Sequence, residues 1–206
     1  RGDSDEPIGC TEGQFQLTRS YPRVLFLIDR SASMRESLER PGSATRWEAL
    51  AAGLAAALPQ IDVNVEMGAM LFPHDSGSQA CTVANGADIT PAKGNAAAIV
   101  SLLKITRPAG GTPTAVALQH AANQLLGSRT SRTARAVVLA TDGAPDCNPA
   151  LPPRTCRCAS PPCSTGTHCL DDQRTIDRIS SNFANGILTY VIGSEARGDT
   201  SYSDVL

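Results

Sequence analysis

Two runs of apolar residues in this chain each lead directly into an aspartate. Val24–Ile28 runs into Asp29, and the segment RAVVLATDG reaches Asp142 after a similar run. A continuous run of this kind is typical of a strand buried on both faces, as the strands of a parallel sheet are. The two runs therefore predict a parallel sheet in which two strands end in acids.

Strand-like and helix-like segments alternate along the rest of the chain. Helices are predicted over RWEALAAGLAAALPQI, ending at Pro59, over NAAAIVSLLKI, capped by Asn95, and over TPTAVALQHAANQLLG and LDDQRTIDRISSNFANG. Strands are predicted over VNVEMGAMLF and ILTYVIG, with a short edge strand around Cys81–Val83. This alternation predicts the α/β class: a doubly wound, mostly parallel sheet flanked by helices in a three-layer sandwich.

Five small oxygen-bearing residues are predicted to meet at one edge of this sheet. In open α/β sheets the ligand site lies beyond the carboxyl ends of the strands. Asp29 and Asp142 end two strands there. Ser31 and Ser33 follow the first acid at alternate positions, and the loop AGGTPT brings Thr112 to the same edge. Hard oxygen donors in this number favour a divalent cation, Mg²⁺ first and Mn²⁺ or Ca²⁺ as alternatives.

The predominance of neutral hydroxyls predicts a binding role for such a cation. Additional acids would fill its coordination sphere and neutralise its charge, whereas serine and threonine leave it electrophilic, with one position held by water. An ion in that state gains from a carboxylate that a partner supplies. The donor set therefore indicates a site for capturing an acidic group, not a metal store.

Five of the seven cysteines fall in one stretch rich in Pro and Ser, from Cys147 to Cys169. It lacks apolar periodicity, so it needs covalent links or a metal to be ordered. Disulfide bonds are favoured, and they imply an oxidising compartment, with secretion or display at the cell surface. The alternative is a zinc site, although the spacing departs from paired C-x2-C motifs. Its ligands would come from Cys156, Cys158, Cys163, Cys169 or His168.

Three segments resemble the metal-ion-dependent adhesion site of von Willebrand factor type A (vWA) domains. They are DRSAS at Asp29–Ser33, GGTPT at Gly110–Thr114 and TDG at Thr141–Gly143, in the family's order. The resemblance implies that the two serines and the threonine reach the cation directly or nearly so. It also implies that the two acids act mainly through bound waters and hydrogen bonds.

The resemblance further implies a domain organisation and a function. A vWA domain is expected over residues 23–206, after an N-terminal extension over residues 1–22, with a Cys-rich disulfide insert over residues 143–170. The expected function is metal-dependent adhesion without catalysis, in which the cation captures an Asp or Glu carboxylate of a partner protein. The domain is expected to belong to a larger polypeptide, and SYSDVL to begin a further helix.

A phosphoryl-transfer enzyme of the haloacid-dehalogenase type is the main alternative. It would use Asp29 as nucleophile, with Asp142 helping to hold Mg²⁺. Such enzymes usually carry a second acid two residues after the nucleophile, where this chain has Ser31, and a lysine near a strand end. Neither Lys93 nor Lys104 is so placed. A third interpretation is a structural domain in a filament or surface assembly.

Charge and hydropathy argue against two other classes of partner. The net charge is −2 and the basic residues are scattered, so nothing indicates a nucleic-acid surface. No apolar run is long enough to insert into a bilayer.

The three histidines are predicted to be structural or solvated, and Asp75 and Asp146 to be loop acids without a role. Two RGD tripeptides, at Arg1–Asp3 and Arg197–Asp199, are attributed to chance, and Cys10 is a candidate tether for the N-terminal residues.

Overall fold

The computed structural model of the protein describes residues 19–74, 81–127, 133–159 and 163–193. At its centre is a five-stranded sheet in the order β3-β2-β1-β4-β5. Strands β1, β2, β4 and β5 are parallel, and β3 is antiparallel to β2 at one edge. The predicted fold class is therefore confirmed. The strands are β1 (Arg23–Asp29), β2 (Glu66–Phe72), β3 (Ile89–Ala92), β4 (Arg135–Thr141) and β5 (Ile187–Gly193).

Helices cover both faces of this sheet. The four helices are α1 (Arg46–Ile61), α2 (Ala96–Ile105), α3 (Thr114–Leu126) and α4 (Asp172–Ala184). Helices α1 and α2 pack on one face, and α3 and α4 pack on the other. A mostly parallel sheet with helices packed on both of its faces is a doubly wound arrangement.

The central strand β1 shows why its sequence is continuously apolar. Leu25 and Leu27 point into the core under α3, and Phe26 and Ile28 point into the core under α1 and α2. Successive side chains of a strand point to opposite faces, so a strand covered on both sides must be apolar at every position. Asp29, the last residue of β1, is also fully buried.

The edge strand predicted around Cys81–Val83 is wrong. These residues form no regular strand, and the edge position is taken by β3, a few residues further along the chain. Pro91 lies within β3. Proline cannot donate a backbone hydrogen bond, and an edge strand is the place in a sheet where this loss costs least.

Two helix ends also differ from the prediction. Helix α1 does not end at Pro59 but continues to Ile61. A proline in the last turn removes only one backbone donor, and the buried side chain of Leu58 still packs that turn against the sheet. Asn95 precedes α2, but its side chain donates to the carbonyls of Met67 and Thr90, at 2.7 and 2.9 Å. It therefore ties the helix start to the β2–β3 edge instead of capping it.

Candidate metal centre

The two acids that follow the apolar runs lie side by side in the fold. Strands β1 and β4 are neighbours in the sheet, so their carboxyl ends share one edge. Asp29 ends β1 and Asp142 follows β4, and both side chains are buried. Two carboxylates this close in a poorly solvated place need hydrogen bonds or positive charge around them.

Both oxygens of Asp29 accept hydrogen bonds. The backbone N–H of Ser31 donates to Oδ1 at 2.7 Å, and the hydroxyl of Thr141 donates to Oδ2 at 2.6 Å. Burial, and after it the charge of Asp142, nevertheless raises the pKa of Asp29 to about 7. The carboxyl is therefore held in a fixed orientation, and it binds a proton more readily than an ordinary aspartate.

Ser31 and Ser33 join the exit of β1 to Asp142. The chain leaves the strand into a short 3-10 helix, Ala32–Arg35, which turns both hydroxyls the same way. Their oxygens lie 2.9 Å apart, and the Ser33 hydroxyl donates to Asp142 Oδ1 at 2.9 Å. Alternate positions after the strand thus converge on one point, as the spacing predicts.

The loop before α3 completes this group of residues. Backbone bonds from Ala32 to the Gly110 carbonyl, at 3.0 Å, and from Ala109 to the Arg30 carbonyl, at 2.6 Å, attach the loop to the exit of β1. Thr112 is buried next to them and lines the same cleft as the two serines and Asp142. The structure thus places Thr112 at the edge of the sheet where the sequence predicts it.

Arg46, the first residue of α1, was not predicted to belong to this group. Its Nη1 donates to Asp142 Oδ2 at 2.7 Å, and its Nη2 lies 3.3 Å from Glu36 Oε2. Burial raises the pKa of Asp142, while hydrogen bonds from Arg46 and Ser33 oppose that rise. The only indication in the sequence was an arginine at a position of α1 that faces the protein interior.

Asp146, predicted to be a loop acid without a role, also belongs to this group. Its Oδ1 accepts the backbone N–H of Thr112 at 2.6 Å, and its own N–H donates to the Thr112 carbonyl at 3.0 Å. Burial raises the pKa of Asp146 to about 6. Its position four residues after Asp142 was the only sequence signal.

The six described cysteines form three disulfide bonds, as favoured over zinc. Although the sulfurs of Cys156, Cys163 and Cys169 lie within 4.8 Å of one another, each is already bonded to a cysteine. The first of the three bonds ties the loop before β3 to the start of the Cys-rich stretch. The pairs are Cys81–Cys147, Cys156–Cys169 and Cys158–Cys163.

A cleft of about 490 Å³ opens over these residues. Its lining combines Ser31, Ser33 and Thr112 with His168 and Thr167 from the Cys-rich stretch. The volume lies in the range of ordinary ligand pockets. The Cys-rich stretch therefore forms part of the wall of this cleft.

The predicted donor set fits a small hard cation; four of its residues line this cleft, and the fifth, Asp29, is fully buried. All five predicted residues offer oxygen atoms, three of them neutral hydroxyls, and oxygen is what Mg²⁺ and Mn²⁺ prefer. Asp142 divides its two oxygens, since Oδ2 binds Arg46 while Oδ1 faces Ser33. The cluster therefore keeps one carboxylate oxygen directed toward the hydroxyls.

Some sequence predictions concern other parts of the chain. The ring of His120 contacts the Ala84 carbonyl through Nδ1, at 2.8 Å, which is a structural role. The remaining ones, which lie outside the described residues, are the two RGD tripeptides, Cys10, Asp75 and the segment SYSDVL.

The sequence matches one known family over more than half of its length. The match is to the von Willebrand factor type A domain and spans residues 24–144. The chain belongs to the von Willebrand factor type A family. The matched region contains all three segments that resemble the family's adhesion site. Among curated proteins, none matches this chain.

Solved structures share the fold of this vWA domain at low sequence identity. The pilus adhesin SpaC from Lactobacillus rhamnosus GG has a TM-score of 0.63 and 19% identity, covering 88% of this chain and 26% of its own. An aerotolerance-related membrane protein from Bacteroides fragilis has a TM-score of 0.58 and 17% identity, covering 87% and 74%. Manganese-loaded TRAP protein from Plasmodium vivax has a TM-score of 0.56 and 16% identity, covering 88% and 60%.

These similarities establish the fold of the vWA domain and no more. The chain spans about a quarter of SpaC, and 60% of TRAP.

Within the described residues, no helix combines the length and the apolar character that crossing a bilayer requires.

Proposed function

We propose that this vWA domain is a metal-dependent adhesion module. Ser31, Ser33 and Thr112 would contact a divalent cation, most simply Mg²⁺. Asp29 and Asp142 would help to hold it, mainly through bound waters and hydrogen bonds. A cation held there supplies a Lewis-acidic position for an incoming carboxylate. The partner is a protein that presents an Asp or Glu side chain to the cleft.

The convergence of three distant segments carries this proposal. Ser33 donates to Asp142 across the gap between the β1 exit and the β4 exit, at 2.9 Å. Ala32 bonds to Gly110 at 3.0 Å, which places the Thr112 loop against the same turn. Hydroxyls and carboxylates gathered at the carboxyl edge of a parallel sheet are the arrangement that a hard-cation site requires.

The charge balance of the cluster supports ligand capture over simple metal storage. Arg46 binds one oxygen of Asp142 at 2.7 Å and so offsets part of the negative charge around the site. With three neutral hydroxyls completing the set, a bound cation would keep much of its positive charge. An external carboxylate then gains more by binding than it would at a site rich in acids.

The cleft and the similar structures support a protein partner. The cleft has a volume of about 490 Å³ and the Cys-rich stretch at its border. An acidic side chain that projects from a partner can enter such a cleft, whereas a flat partner surface cannot. SpaC is a pilus adhesin, and TRAP was solved with manganese bound. We therefore propose a ligand on a protruding loop or chain end of another protein.

The disulfide bonds support an extracytoplasmic location. Three disulfides in one domain persist only in an oxidising compartment, in most organisms. We propose that the domain is secreted or displayed at the cell surface as part of a larger polypeptide.

The division of the chain into an extension over residues 1–22, a domain from residue 23 and an insert over residues 143–170 stays a prediction.

The geometry disfavours the phosphoryl-transfer alternative. A nucleophilic aspartate needs a carboxylate oxygen that faces the substrate. Asp29 is fully buried, and both of its oxygens accept hydrogen bonds, from Ser31 and Thr141. This geometry argues against Asp29 as a nucleophile, and the domain is proposed to act by binding, without catalysis.

Calorimetry with Mg²⁺ and Mn²⁺ tests the proposal. The wild-type protein is expected to bind one ion, and Ser33→Ala to bind it roughly tenfold or more weakly, because a ligand hydroxyl is lost. Once loaded, the protein should bind a short, C-terminally amidated peptide with one aspartate and ignore the same peptide with asparagine. Chelation should abolish that binding.

Ser101→Ala is the matched control, because Ser101 lies exposed on α2, away from the cleft. It should bind the ion and the peptide as the wild type does. A wild-type protein that binds no ion would overturn the adhesion proposal and leave the structural-domain interpretation. Release of phosphate from a generic phosphate ester would restore the enzyme alternative.

A further inference from the structure

Asp146 holds both backbone polar groups of Thr112. The Thr112 N–H donates to Asp146 Oδ1 at 2.6 Å, and the Asp146 N–H donates to the Thr112 carbonyl at 3.0 Å. The two residues are 34 positions apart in the chain. A pair of hydrogen bonds between the same two residues restricts rotation as well as distance, so it fixes the backbone of Thr112 and with it the direction in which the side chain leaves the loop.

The Cys81–Cys147 disulfide lies directly against this pair. A Cβ atom on Gly111 would lie 2.5 Å from Cys147 Sγ and 3.5 Å from Cys81 Sγ, so the loop rests on the sulfurs with no space between. Cys147 has a φ of 68°, in the left-handed region that few non-glycine residues adopt. The backbone beside Asp146 thus takes an unusual course that brings it under the loop.

We propose that Asp146 is a positioning residue for the cation site, held in place by the Cys81–Cys147 disulfide. This inference rests on the proposed function, since Thr112 is one of the residues proposed to hold the cation. The disulfide keeps the segment that follows β4 beneath the Gly110–Thr112 loop. Asp146 then orients Thr112 before any ion arrives, and preorganisation of this kind raises affinity.

The role of Asp146 is tested by two substitutions at this position. Asp146→Ala removes the acceptor for the Thr112 N–H and is expected to weaken Mg²⁺ binding about 10- to 100-fold, as the loss of a group that orients a ligand does. Asp146→Asn keeps an oxygen acceptor in the same place and should bind Mg²⁺ within a few-fold of the wild type. Unchanged affinity in the alanine variant, or equal losses in both variants, would overturn the proposal.

The disulfide is tested by a matched pair of double variants. Cys81→Ser with Cys147→Ser should weaken Mg²⁺ binding in the same direction as Asp146→Ala. Cys158→Ser with Cys163→Ser removes a different disulfide of the same stretch and leaves the contacts of Asp146 intact. If both pairs weaken binding equally, the first disulfide has no special role in positioning Thr112.

Amide hydrogen exchange separates this proposal from the adhesion proposal. In the metal-free protein, the Thr112 amide should exchange at least tenfold faster in Asp146→Ala than in the wild type or in Asp146→Asn. This measurement needs no cation. A wild-type protein that fails to bind Mg²⁺ would therefore refute the adhesion proposal alone, whereas unchanged exchange in Asp146→Ala would refute the positioning role alone.

Discussion

Arg46 balances the charge of a buried carboxylate at the heart of the site. Its guanidinium lies 2.7 Å from Asp142 Oδ2, and the side chain of Asp142 has no exposed surface. Removing one partner of a buried pair leaves the other without compensation, which costs about 3–5 kcal/mol. Arg46→Ala should therefore lower the free energy of unfolding by that amount in metal-free buffer at pH 7.5, as measured by urea denaturation.

The second partner of Arg46 provides the control. Glu36 lies 3.3 Å from Arg46, but its side chain is 65% exposed. An exposed ion pair contributes about 1 kcal/mol or less, so Glu36→Ala should change the unfolding free energy by no more than that. Similar losses in the two variants would mean that Arg46 contributes to stability mainly through Glu36, and not through Asp142.

Asp29 makes the metal-free domain sensitive to pH. Its pKa is about 7 in the fold, against an ordinary value of 3.8, because it is buried and lies beside Asp142. Between about pH 4 and 7 the folded state therefore binds more protons than the unfolded state. Stability should fall as pH rises through this window, and level off above it. Urea denaturation of the metal-free protein from pH 4.5 to 8 measures this slope.

The same proton competes with a bound cation. If the cation needs ionised carboxylates, its affinity should rise from pH 6 to pH 8, with release of a proton on binding. Calorimetry in two buffers of different ionisation enthalpy counts that proton. Asp29→Asn should reduce both the proton release and the stability slope; Asp142 and Asp146, whose pKa values are also raised, account for what remains. An unaltered slope in this variant would assign the titration to those two acids.

At the scale of elements, Gly68 determines how closely the edge strand β3 approaches β2. A Cβ atom at Gly68 would lie 2.6 Å from the Ile89 carbonyl and 2.7 Å from the ring of Pro91, so it would push β3 away. Gly68→Ala should therefore destabilise the domain by about 1–3 kcal/mol, as overpacking of a core does. Thermal or urea denaturation measures the loss.

Gly53 offers the matched comparison. It lies in α1, and a Cβ atom there would meet nothing within 4 Å. Gly53→Ala should stabilise the domain by about 0.5–1 kcal/mol, because alanine is the better helix former. The same chemical change is thus expected to have opposite signs at the two positions. A loss at both would show that crowding at β3 is not the cause.

At the scale of the whole molecule, the disulfides differ in the length of chain that they close. Cys81–Cys147 spans 66 residues, and Cys158–Cys163 spans 5. On the loop-entropy model, the longer bond contributes about 4 kcal/mol to stability and the shorter about 2 kcal/mol. Guanidinium denaturation of the two double serine variants measures these losses. Equal losses would show that native-state contacts, and not chain entropy, determine the effect.

The outline of the fold could be predicted because its signals are local. The apolar run Val24–Ile28 identifies a strand covered on both faces, and the alternation of strands and helices identifies a doubly wound sheet. The edge strand was misplaced to Cys81–Val83 because β3 is short and contains Pro91, so its sequence has little strand character. Its position follows from pairing with β2, which no local pattern reveals.

The sequence by itself determined which residues end the strands, and therefore that Asp29, Asp142 and the hydroxyls near them share one edge of the sheet. Only the tertiary structure decided which other residues join them. Arg46 lies 96 positions from Asp142, Asp146 lies 34 from Thr112, and Cys81 lies 66 from Cys147. The physical reason is that strand and helix patterns arise from neighbours in the chain, whereas charge compensation and positioning depend on which distant segments the packed fold brings within hydrogen-bonding distance.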